Sequence, residues 1–117
     1  MYKVKDVILE NKYSYEKYKK KFLKKNINLH LGINNIKKII KKKVDYSVNA
    51  ISGIDGLEPT LKIIPLTNNI LIANKESIIC GWSLIERKLN RFKTKFIPID
   101  SEHFSIWSLI KNENLIN

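Results

Sequence analysis

Two short polar segments stand where apolar runs give way, Ala73-Asn74-Lys75-Glu76-Ser77 and Pro98-Ile99-Asp100-Ser101-Glu102-His103. The first sets an amide, an ammonium and a carboxylate side by side. Lys75 could contact a phosphate or polarise an oxygen, and Asn74 and Glu76 could take hydroxyls or amides. Capping of a following helix would explain Asn74 and Glu76 equally well. It does not explain a lysine in the first turn, which the helix dipole disfavours. In the second segment, Asp100 and Glu102 flank Ser101. Hard cations such as Mg²⁺ and Mn²⁺ prefer carboxylate oxygens, so this pair could converge on one ion. Plain helix capping is the competing reading. His103 reads first as a hydrogen-bonded loop histidine and second as a metal ligand or its support.

Other residues carry weaker signals. Ser52-Gly53-Ile54-Asp55-Gly56 permits close backbone approach to a ligand, but it is neither a full G-x-G-x-x-G nor a P-loop. A tight strand-to-helix turn explains it as well. His30 has no partner constellation in the sequence and reads as structural. Cys80 lies among apolar residues and reads as packed. Trp82 and Trp107 read as core or interface aromatics. No Ser-His-Asp or Cys-His arrangement is recognisable.

The elements that must position these residues alternate between strand and helix. Strands are expected at Val4–Leu9, Ile27–Leu31, Tyr46–Ile51, Ile70–Ala73 and Phe96–Ile99. Tyr15, Tyr18, Phe22 and Leu23 make one helical stripe, with Ser14 as its expected N-cap. Ile33, Ile36, Ile39 and Ile40 make a second. Leu57, Leu61 and Ile64 make a third, which Pro65 ends. Ile78, Trp82, Ile85 and Leu89 form the clearest helix face, and Phe104–Ile110 is expected to be helical. Repeated βα units imply an α/β fold, a parallel sheet flanked by helices with right-handed crossovers. The continuous apolar strands imply that both sheet faces are covered. Ligands of such sheets bind outside the carboxyl ends of the strands. That rule selects three loops, Ser52–Gly56, Asn74–Ser77 and Asp100–His103.

The 117 residues suit a single soluble domain, with 44% apolar and 28% charged residues. No apolar run reaches the ~20 residues needed to cross a bilayer. The first residues lack the apolar core of a secretory signal, and one cysteine fits a reducing compartment, so the cytoplasm is the expected location. The net charge of +11 raises nucleic-acid binding as a possibility. The lysines of 17–25 and 37–43 sit between apolar residues at helical spacing, however, and read as solvated helix faces. Arginine, the preferred base-reading residue, occurs only at Arg87 and Arg91.

Three stretches in order, Ala50–Thr60, Leu71–Ser77 and Ile97–His103, resemble the 1-deoxy-D-xylulose 5-phosphate reductoisomerase family. The strong likeness runs from about Tyr46 to Leu109, and what precedes it matches as a compatible βαβ pattern. The resemblance implies a Rossmann-like NADPH-binding domain over 1–94, running into the start of a catalytic domain over 95–117. It implies that Asn74 and Glu76 contact NADPH and that Lys75, Ser101 and Glu102 contact the phosphorylated sugar. It implies that Asp100 and Glu102 bind Mg²⁺ or Mn²⁺, with Lys75 and Glu102 in catalytic roles. A homodimer is the family's assembly. The family's Gly-rich pyrophosphate turn and its later metal carboxylate have no counterpart in these residues. The chain is therefore expected to be a central fragment, without significant turnover alone. The alternatives are a remnant without enzymatic role and a basic nucleic-acid-binding module.

Overall fold

A computed structural model describes residues 3–113, with side chains through Ile110. The outer limits of the two expected domains, at residues 1 and 117, lie outside the described residues. The chain forms two compact units, Met1–Lys41 and Lys42–Asn117. The division falls at 41/42, and the strand at 95–98 pairs within the second unit.

The first unit is one βαβ turn of chain. Strand β1 (Asp6–Leu9) and β2 (Asn28–Leu31) pair in parallel, from Asp6 opposite Asn28 to Leu9 opposite Leu31. Helix α1 (Lys12–Leu23) connects them. Its cap is Asn11 and not the expected Ser14. The Asn11 side chain accepts a hydrogen bond from the Ser14 N–H at 2.9 Å, so the helix starts one residue after Asn11. A 3-10 turn (Ile33–Asn35) and the single-turn helix α2 (Ile36–Ile39) take the place of one regular isoleucine-striped helix. The lysines of both runs are exposed, as their spacing implied. His30 has a partner that the sequence did not reveal. Its Nε2 lies 2.9 Å from Asp6 Oδ1, across the two strands.

The second unit carries a three-stranded parallel sheet, ordered β3-β4-β5. Strand β3 (Val44–Asn49) runs beside β4 (Thr67–Ile72), which runs beside β5 (Lys95–Pro98). Between β3 and β4 come a 3-10 turn (Ile54–Gly56), helix α3 (Leu57–Ile63) and a second 3-10 turn (Ile64–Leu66) that contains Pro65. Helix α4 (Lys75–Phe92) joins β4 to β5, and α5 (Ser101–Glu113) follows β5. Two right-handed crossovers that step the same way across a sheet place both helices on one face. Helices α3 and α4 accordingly pack on each other. Ile64, Ile70, Ile72, Ile78, Ile85 and Leu89 form the buried core beneath them. Each such side chain contributes about 1.5–3 kcal/mol through burial.

Two expectations need correcting here. Strand β3 is not covered on both faces, since Tyr46 is 66% and Val48 62% exposed. It is an edge strand with alternate residues on opposite faces, and its helix-facing positions are Ser47 and Asn49. Cys80 is exposed and not packed. The buried stripe of α4 includes Ile78, Gly81, Ile85 and Leu89, and residue 80 lies about 200° around the helix from Ile78. Trp82 does meet the core edge, with its ring 5.4 Å from that of Phe96 in an edge-on arrangement.

Candidate functional site

Beyond the carboxyl ends of β3, β4 and β5 lies a cleft of about 450 Å³. All its lining residues come from three segments, 50–53, 73–76 and 99–102. These segments overlap the three loops that the sheet rule selects, and they bring Asn74, Lys75, Glu76, Asp100, Ser101 and Glu102 around one space.

Asn74 follows β4 in extended backbone and is the N-cap of α4. It is only 3% exposed. Its Oδ1 accepts from the Ser77 N–H at 2.7 Å. Its Nδ2 donates to the carbonyl of Gly53 at 2.6 Å and also to that of Ile51. The capping alternative is therefore real, and the Asn74 side chain is engaged wholly within the protein. From below, Asn49 donates to the Gly56 carbonyl at 3.0 Å and to the Thr60 hydroxyl, and accepts from the Ile51 N–H at 3.0 Å. Thr60 donates in turn to the Gly56 carbonyl at 2.8 Å. Sequence reasoning missed Asn49 and Thr60. The available signal was a polar phase at Asp45, Ser47 and Asn49, alternating with Val44, Tyr46 and Val48.

On the opposite side, Asp100 to Glu102 is not a loop, because α5 begins at Ser101. Asp100 Oδ1 accepts from the His103 N–H at 3.0 Å and lies 2.7 Å from His103 Nδ1. His103 is thus a hydrogen-bonded support for Asp100. Asp100 Oδ2 is buried without a hydrogen-bond partner. Glu102 is exposed, with Oε1 3.3 Å from Lys75 Nζ and Oε2 accepting from the Ser101 hydroxyl at 2.9 Å. Its own backbone N–H, the Ser101 hydroxyl and the Lys75 ammonium hold the Glu102 carboxyl at about 2, below the usual carboxylate range. Lys75 in the first turn of α4 therefore has a counter-charge in the first turn of α5.

Among the described residues no group of three or more His, Cys, Asp or Glu converges on a point. Asp100 and Glu102 nevertheless suit a hard divalent cation in their donor chemistry. The orphaned Oδ2 supports that fit, since a buried carboxylate oxygen without a partner is costly and a cation would relieve it. Among the same residues no helix is long and apolar enough to cross a membrane.

Comparison with known proteins locates this arrangement. A family model described as 1-deoxy-D-xylulose 5-phosphate reductoisomerase matches residues 1–81. The likeness therefore reaches back through the first βαβ unit, beyond the Tyr46 start that the motifs alone supported. The reductoisomerase of Pelagibacter ubique is 47% identical over the whole of this chain, which spans 31% of that relative. That of the Wolbachia of Brugia malayi is 38% identical over 92% of this chain and 28% of its own length. Among solved structures, the Zymomonas mobilis reductoisomerase in complex with NADPH aligns with a TM-score of 0.73 at 25% identity, covering 85% of this chain and 26% of that one. A reductoisomerase in complex with NADPH, fosmidomycin and magnesium also aligns at 0.73, with 28% identity, over 84% of this chain and 24% of that one. The chain thus spans about three-tenths of the length of the curated relatives it matches.

Proposed function

The chain belongs to the 1-deoxy-D-xylulose 5-phosphate reductoisomerase family, and from that premise we propose that it forms part of an NADPH-dependent enzyme converting this sugar phosphate to 2-C-methyl-D-erythritol 4-phosphate. The observation that carries the reading is the Asp100 carboxylate. One of its oxygens is fixed by His103, and the other is buried and unpartnered beside a lysine–glutamate pair.

In this reading Asp100 and Glu102 hold Mg²⁺ or Mn²⁺. Such an ion supplies a Lewis acid that polarises the carbonyl of a bound sugar. Lys75, Ser101 and Glu102 hold the substrate, with Lys75 as the mobile cation that can leave Glu102 for a substrate oxygen or phosphate. Glu102 is ionised throughout the physiological range, so no proton must leave it before it binds a cation or accepts a hydroxyl. Asn74 and Glu76 contact the nucleotide, Glu76 from its exposed position. NADPH supplies hydride, and the protein supplies orientation. The proposal includes the division at 94/95 between a Rossmann-like nucleotide part and the start of a catalytic part. It also includes cytoplasmic location and assembly as a homodimer, for which sedimentation of the chain is the check.

Mn²⁺ binding by the chain tests the reading directly. Titration calorimetry should detect binding that Asp100→Ala removes and Asp55→Ala leaves intact, whereas equal affinity in all three would sink it. With Asp100 and Glu102 as its two proposed metal carboxylates, the chain alone should give no significant turnover. NADPH oxidation that requires both 1-deoxy-D-xylulose 5-phosphate and Mn²⁺, and that Asp100→Ala abolishes, would show that expectation to be wrong.

A further inference from the structure

Strand β3 has a neighbour on one side only. Among the described residues its backbone pairs with β4 alone, so its outer edge is open. One hydrogen bond fixes which groups lie on that edge. The Asn49 carbonyl accepts from the Ala73 N–H at 2.9 Å, just past the end of β4, so residue 49 directs its backbone groups inward. Successive residues of a strand direct theirs to alternate sides. Tyr46 and Val48 therefore present their N–H and C=O groups outward. Their side chains are exposed and share the face that α3 and α4 leave bare.

An open edge is commonly blunted by charge. Here the lysines stop short of it. Lys42 and Lys43 precede the strand, and Lys43 is tied to the Phe92 carbonyl at 2.7 Å. Between residues 44 and 49 the only charged side chain is Asp45. Residues 1–41 hold twelve basic and three acidic side chains, whereas residues 42–117 hold ten and eight. The open edge thus belongs to the unit that is nearly balanced in charge, and a second copy of that unit meets little net repulsion.

We infer that β3 pairs with β3 of a second copy, antiparallel, about a two-fold axis at Ser47. A two-fold interface must be self-complementary, and this register is. Tyr46 faces Val48 of the second copy, Val48 faces its Tyr46, and each such pair exchanges both backbone hydrogen bonds. On the bare face an aromatic ring then lies against a β-branched side chain, twice. Between these pairs the two Ser47 residues stand opposite each other as a non-hydrogen-bonded pair, where side chains approach most closely. Ser47 Oγ has no hydrogen-bond partner in its own chain, so turning it toward its counterpart forfeits none. The antiparallel direction also keeps Lys42 and Lys43 about 25 Å or more from their counterparts, at ~3.4 Å per residue. That is well beyond the screening length of about 8 Å. A parallel pairing would set the lysines side by side. The inference rests on the homodimer reading above for there being a second copy, and goes beyond it by naming the surface. A dimer formed elsewhere on the chain would sustain that reading and overturn this one.

A contact as small as one strand edge is weak, so the test runs up to about 1 mM and also traps the pair covalently. Every cysteine variant carries Cys80→Ser. Ser47→Cys places two thiols on residues directly opposite, with Cα atoms about 4.5 Å apart and within reach of a disulfide. Asp45→Cys is the control, since its counterpart lies four positions along the ladder. Under mild oxidation with diamide, Ser47→Cys should give about tenfold more disulfide-linked dimer than Asp45→Cys. Sedimentation of the parent chain should show a concentration-dependent dimer. Val48→Lys should weaken it about tenfold or more and leave the melting temperature within about 5 °C. Hydrogen exchange at the Tyr46 and Val48 amides should slow as concentration rises. A parent chain that stays monomeric at 1 mM would overturn the inference. So would equal cross-linking by the two cysteines, or a dimer indifferent to Val48→Lys. Protection of the Tyr46 and Val48 amides that is the same at every concentration would mean that another segment of the chain covers the edge, and would overturn it as well.

Discussion

The two units of this chain are built from the same βα pattern, yet only one of them has an interior. Among the described residues of the first unit, none is buried. The second encloses six buried apolar side chains in a single cluster. The difference lies in the helices. In α1 the aromatic stripe is interrupted by lysines at 17, 19, 20 and 21, and the helix buries no residue. In α4 five positions along one face are buried, and they lie on α3 and the sheet. Strand pairing alone can thus define a βαβ unit without giving it a core. The cleft belongs to the unit with the core, which is where a rigid support for fixed side chains is available.

Truncating side chains in both sheets should separate the two units most clearly. Ile70→Ala in β4 should cost about 2–5 kcal/mol, because its side chain is fully enclosed. Leu29→Ala in β2 should cost less than half of that, since Leu29 is only half-buried. Chemical denaturation followed by far-ultraviolet circular dichroism measures both, and equal losses would erase the distinction between the units.

A smaller effect is expected where α4 meets α3. A Cβ on Gly81 would collide with the side chain of Leu57. Gly81→Ala should therefore destabilise by about 1–3 kcal/mol through overpacking, against a gain of about 1 kcal/mol in helix propensity. A net stabilisation would mean that this helix contact is loose. Caps allow a like-for-like contrast between units. Asn11→Ala should cost about 1 kcal/mol, the ordinary value for an N-cap. Asn74→Ala should cost more, because it also strands the Ile51 and Gly53 carbonyls. Comparable losses at the two caps would argue that the Asn74 donors contribute nothing.

The smallest effects are electrostatic. Among the described residues each unit has one carboxylate held below its usual range, Asp6 chiefly by the hydrogen bond with His30 and Glu102 chiefly by its own backbone N–H. Both lowered values have the same sign. Their contributions are present above the unfolded carboxylate pKa and are lost as pH falls toward the folded value. For Glu102 that window runs from 4.5 down to about 2. Carbon-detected NMR titration should show Lys75→Met moving Glu102 upward and leaving Asp6 unmoved. A Glu102 titration indifferent to Lys75 would mean the pair does not persist in solution.

Much of this molecule was legible beforehand, for identifiable reasons. Ile78, Ile85 and Leu89 mark α4 because helical spacing over a long segment is a strong signal. The three loops follow from the parallel sheet without any knowledge of side-chain contacts. Asp6–His30 was not legible, because it depends on a strand register that places residues 24 apart within 2.9 Å. Cys80 was misread because apolar neighbours in sequence are not neighbours on a helix face. Strand β3 was misread because an apolar run does not reveal which strand ends up at an edge. The role of Asn49 needed the position of Thr60, which only the packing of α3 supplies.

The strand pairings also carry a kinetic meaning. Asp6 meets Asn28, Val44 meets Thr67, and Asn69 meets Lys95, so every pairing closes a loop of some two dozen residues. Loops of that length close at modest entropic cost, and none awaits a distant part of the chain. The second sheet can therefore grow strand by strand in the order of synthesis. Asp100 and Glu102 follow β5, so the acidic wall of the cleft is in place only after the last strand has joined.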